Sequence, residues 1–139
     1  MGAIKSLAGV YMMLVGAAVG IHFIATQFYD PALTDEAHII WRIMDPLMVA
    51  AVAMAFATAT CCKLQVGSGQ GQPVTRDYLE AQIGFYVSGV MLVALLWNWI
   101  GFEFVEPRND DGLVWIIIDS TVPFLLGTAG YRLLRNANN

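Results

Sequence analysis

Five polar residues sit where a strongly apolar chain has little reason to put them: His22, Arg42, Asp45, Asn98 and Asp119. An imidazole with two carboxylates (His22, Asp45, Asp119) is a ligand set that zinc, iron, manganese or copper accepts. Desolvated carboxylates also serve proton relays and ion sites, and can meet a quinone-like headgroup. A third use is structural. Arg42 neutralises one or both acids, while His22 and Asn98 complete the hydrogen bonding, because a half-satisfied buried network is costly. The structural use is the default for a small bundle. The metal reading is the weakest of the three, since no HxxxH or ExxH pair anchors it.

Asp119 is the sharpest of these residues. It lies inside Leu113–Arg132, a run about long enough to cross a bilayer as a helix. Pro123 follows four residues later and offers no N–H to the carbonyl of residue 119. A carboxylate and an unpaired carbonyl would then share one depth. A charge in hydrocarbon costs about 3 kcal/mol or more, so neighbouring helices are expected to shelter this spot.

The elements that must do so follow from composition. The chain has 139 residues, 58% hydrophobic and only 13% charged, with a mean hydropathy of +0.61. Soluble domains carry about a quarter charged residues. One integral membrane domain over residues 1–139 is expected: an all-α bundle of four transmembrane helices, up-down-up-down, over about 7–28, 35–62, 78–104 and 113–134.

Leu7–Phe28 is longer than the apolar core of a signal peptide and lacks a cleavage site after it, so it reads as the first span. The opening MGAIKS fits an N-myristoylation pattern only nominally. Gly9, Gly16 and Gly20 share a face suited to close helix packing. Tyr29–Leu33 reads as a turn around Asp30-Pro31, and Thr34 as the cap of the second helix. Pro46 either kinks a continuous helix or begins a new one after a surface segment over 35–44; the kinked helix is favoured. Ala51, Ala55 and Ala59 form a small-residue seam, and Gly127 adds another small position on the last span.

Lys63–Thr75 is a glycine- and glutamine-rich linker without the lysine and spacing of a P-loop, and Thr75 caps the third helix. Cys61 and Cys62 are adjacent, form no CxxC motif and read as helix-end core thiols, with lipidation or metal binding as the alternatives. Measured from the expected outer helix ends, His22, Asp45, Asn98 and Asp119 fall at one depth, roughly 9 Å in.

Lys5, Lys63, Arg76, Arg132 and Arg135 fall on the side of the termini, with only Arg42 and Arg108 opposite. That bias puts both termini in the cytoplasm of a bacterial inner membrane. Trp41, Trp97, Trp99 and Trp115 mark the outer boundary. The outer loops, Glu103–Gly112 above all, are acidic. They keep that face solvated, or present a negative surface to a cationic partner.

No motif requires a cofactor, and none points to nucleic acid. The expected partners are the lipid bilayer and larger membrane subunits. The expected role is an accessory subunit of a respiratory, photosynthetic or oxygenase assembly, without catalytic activity of its own. The alternative is a small ion-, proton-, metal- or quinone-linked protein working through His22, Asp45 and Asp119.

Overall fold

A computed structural model of the chain describes residues 2–28, 35–66, 75–104 and 112–137. They form four helices: α1 (Gly2–Ala25), α2 (Asp35–Gln65), α3 (Arg76–Phe104) and α4 (Gly112–Ala137). Each is long and apolar enough to cross a bilayer. The expected all-α, four-span composition is therefore what the described residues adopt. The turn at 29–33, the Thr34 cap, most of the linker and most of the acidic outer loop lie outside the described residues.

Helix ends differ from the sequence reading by a few residues, for local reasons. α1 starts at Gly2, because backbone hydrogen bonding continues past the apolar run, and it stops at Ala25. Thr26 N–H still donates to His22 O at 2.9 Å, but Gln27 donates to Ile24 O and Phe28 to Ala25 O. Those two shorter loops tighten the chain into a turn. α2 runs unbroken over Asp35–Gln65 with Pro46 inside it, as the continuous-helix reading expects. Thr75 Oγ1 accepts from Tyr78 N–H at 3.2 Å, which is the N-cap named from sequence, and α3 begins at Arg76.

Hydroxyls inside the helices are returned to their own backbones. Thr58 donates to Ala55 O at 2.9 Å, and Thr60 donates to Phe56 O at 2.7 Å. Ser88, almost fully buried, donates to Gly84 O at 2.6 Å. Such bonds let small polar side chains occupy an apolar helix without orphaned donors.

α1 packs most closely on α4. Gly9 lies against Gly130 and Leu134, Gly16 against Leu126 and Pro123, and Gly20 against Pro123, in reverse chain order. A Cβ on Gly9 would stand 2.9 Å from Gly130 O, and one on Gly130 only 2.7 Å from Gly9 O. Backbone cannot yield at that distance, so both positions require glycine. Gly127 corrects the sequence reading: a Cβ there meets nothing within 4 Å. Leu126 and Gly130 lie on one stripe of α4, and Gly127 is rotated off it by the roughly 100° step between helical neighbours.

Ala51 and Ala55 are buried in the core, and Ala59 faces Gly84 of α3. Met12, Val19, Met48, Val52, Leu95, Ile118, Val122 and Leu126 fill the centre of the bundle. Outside it, large apolar side chains such as Leu14, Ile21, Val93 and Phe124 are exposed. That exterior suits hydrocarbon, where helices associate through van der Waals contact and close approach of small residues.

Candidate functional site

Asp45 of α2 and Asp119 of α4 are only 4% and 6% exposed. They lie near enough to interact through their charges. The sequence named both, and the fold brings them together against an apolar centre that includes Met48, Ile118 and Val122. Asp119 Oδ1 is buried and has no hydrogen-bond partner among the described residues. Pro123, one turn along α4, is packed on Gly16 and Gly20, so the proline that interrupts α4's hydrogen bonding is also where α1 seats.

The remaining members of the predicted cluster are placed differently. His22 sits in the last turn of α1, and its ring packs against Trp41 with centroids 4.7 Å apart at 58°. Trp41 precedes Asp45 by one helical turn. His22 thus meets α2 through a residue one turn from Asp45. The common depth inferred from sequence assumed that α1 reaches Phe28, and its earlier end removes that premise. Asn98 is half-buried, and its Nδ2 donates to Ala94 O at 2.8 Å, on its own helix. Arg42 is exposed on α2, one turn from Pro46.

Among the described residues no three His, Cys, Asp or Glu side chains are gathered as metal ligands. What is assembled is a carboxylate pair. Two negative charges in a low-dielectric interior repel strongly, so such a pair calls for a proton, a cation or a cationic side chain beside it.

Two features had no clear signal in the sequence. Tyr11 of α1 reaches across to donate its hydroxyl to Leu47 O at 3.0 Å, tying α1 to the stretch of α2 just past Pro46. A tyrosine in mid-span was the only cue. The second is a cavity of about 140 Å³ between α2, α3 and α4, with Cys62, Glu80 and Arg132 in its wall. Only the tertiary arrangement reveals it.

These features define a class: a small bundle of membrane-length helices with a buried carboxylate pair between two of them. No protein-family model, curated protein or solved structure matches the chain. The functional reading therefore rests on these residues alone.

Proposed function

We propose that the protein is a small membrane-embedded subunit that works within a larger membrane assembly and has no catalytic activity of its own. The observation that carries this reading is the uneven cover of the helices. Within the chain, 28% of an apolar 18-residue stretch of α1 and of α4 is buried, but only 11% of the corresponding stretch of α3. The uncovered face of α3 holds Ile83, Tyr86, Val90, Val93, Trp97 and Ile100, all exposed. Their alternating three- and four-residue spacing is the seam that a neighbouring helix packs into. Native-membrane purification in mild detergent, with mass spectrometry of the partners, tests it. Larger subunits are expected to co-purify, and Val93→Trp is expected to loosen them while Leu14→Trp is not. A chain that is stable and active alone ends the proposal.

The same reading places the protein in a bacterial inner membrane with both termini cytoplasmic, supported by the basic residues Lys5, Lys63, Arg76, Arg132 and Arg135 at the termini's end of the helices. A membrane-impermeant thiol reagent added to right-side-out vesicles should leave Cys61 and Cys62 unmodified. Rapid labelling would reverse the orientation.

A second reading is favoured by the Asp45–Asp119 pair: the bundle itself holds a proton or small cation on behalf of the assembly. Asp119→Asn should then abolish a proton- or cation-linked activity at normal expression. Loss of expression along with activity would return the pair to a structural role.

A further inference from the structure

The cavity between α2, α3 and α4 lies at the end of the bundle opposite the carboxylate pair. Its wall includes Cys62 near the end of α2, Glu80 near the start of α3, and Arg132 and Asn136 near the end of α4. Gly2 meets the Ala137 carbonyl, so α1 begins at this end as well. Small residues make the space: Ala55 and Ala59 face Ala81 and Gly84 across it, with Ala129 beside them. Their lack of bulk leaves about 140 Å³ unfilled.

The mouth is charged and the floor is not. Arg132 Nη2 donates to Glu80 Oε2 at 2.7 Å, and Arg76 Nε donates to Glu80 Oε1 at 2.7 Å. One carboxylate is thus divided between two guanidinium groups, and neither is fully neutralised. Asp77 is a weaker neighbour of Arg76 alone. Lys63, at the same end, lies over the rings of Phe85 and Tyr86 at 3.8 and 4.6 Å. Across the described residues this end carries Lys5, Lys63, Arg76, Arg132 and Arg135 against Asp77 and Glu80. The oxygens of Thr58 and Thr128 and the amide of Asn136 add polar groups to the wall, while Leu125 and Leu133 supply an apolar lining.

A cationic rim, hydroxyl and amide groups below it, and an apolar floor between membrane-length helices match one kind of molecule. We propose that this cavity binds the phosphate headgroup of an anionic membrane lipid, with Arg132 as its principal contact and the apolar floor meeting the start of its acyl chains. Basic pockets between transmembrane helices hold lipid phosphates in this way. The inference is independent of both the subunit reading and the carboxylate pair.

Cys62 supplies the test, because it lines the cavity whereas Cys61 does not, and both thiols are exposed rather than in the core expected from sequence. The full chain is prepared with Cys61→Ser or Cys62→Ser and reconstituted in nanodiscs of phosphatidylcholine, with or without phosphatidylglycerol. The rate of thiol alkylation is then followed. Phosphatidylglycerol is expected to slow labelling of Cys62 by about fivefold, the worth of one arginine near an anionic surface, and to leave Cys61 unchanged. Arg132→Gln should remove the protection. Glu80→Gln, which releases both arginines, should strengthen it, so the proposal does not hang on one variant folding. Equal rates for Cys62 in the two lipids would overturn the proposal, as would equal slowing of both cysteines. Protection by inorganic phosphate in pure phosphatidylcholine, without any added effect of phosphatidylglycerol, would overturn the lipid assignment.

Discussion

Small residues do opposite things at two places in this bundle. Along the α1–α4 seam, Gly9 and Gly130 bring backbone onto backbone, and a Cβ on either would collide with a carbonyl at under 3 Å. Between α2, α3 and α4, Ala59 and Gly84 also face each other, but a Cβ on Gly84 would stand 3.8 Å from that of Ala59, an ordinary contact. One seam brings backbone against backbone, whereas the other borders a cavity. The lesson is that a small residue on a membrane helix marks a possible approach, and the facing helix decides whether it becomes contact or space.

The contrast is most easily broken at Gly130. Gly130→Val puts its side chain into the Gly9 carbonyl and the Met13 side chain, and should cost about 3 kcal/mol or more, as severe overpacking does. Thermal unfolding in detergent measures it, and a midpoint near the parent's would mean that the seam opens readily. Next comes the buried pair. Asp119→Asn removes one of two interacting charges and should stabilise the fold by about 1 kcal/mol or more, as replacement of buried charges often does. A lower midpoint would instead mean that the Asp119 carboxylate is already compensated in the fold, by a proton, a cation or a cationic side chain.

Smaller again is Gly127→Ala. With nothing within 4 Å of the new methyl, it should gain about 0.5–1 kcal/mol from helix propensity alone. Gly130→Ala, three residues away, should lose stability, and the opposite signs are the useful measurement. The smallest effect is expected from Glu80→Gln. Both of its ion pairs are solvent-exposed to a substantial degree, so the unfolding midpoint should barely move even though the cavity's charge changes.

Much of the site was legible in sequence for a simple reason: charged residues inside apolar runs are rare and easily seen. Asp45 and Asp119 were found that way, and they do lie together between α2 and α4. His22 and Asn98 were assigned to the same level by counting from helix ends, and a count is only as good as the end it starts from. α1 stops at Ala25 because Thr26–Phe28 turn, and His22 consequently pairs with Trp41 in the last turn. Asn98 bonds to Ala94 because the carbonyl one turn back on its own helix is within reach and has a second lone pair to offer.

The number of spans was set by sequence alone, since an apolar run long enough to cross a bilayer is a local property that needs no partner to be recognised, whereas the helix ends were not. The Thr75 cap was equally local, being a contact across three residues. Which glycine touches which helix was decided only in three dimensions. Gly127 and Gly130 are indistinguishable by type, and only the approach of α1 separates them. The cavity beside Arg132 is likewise a property of three helices at once, and no single segment carries its signature.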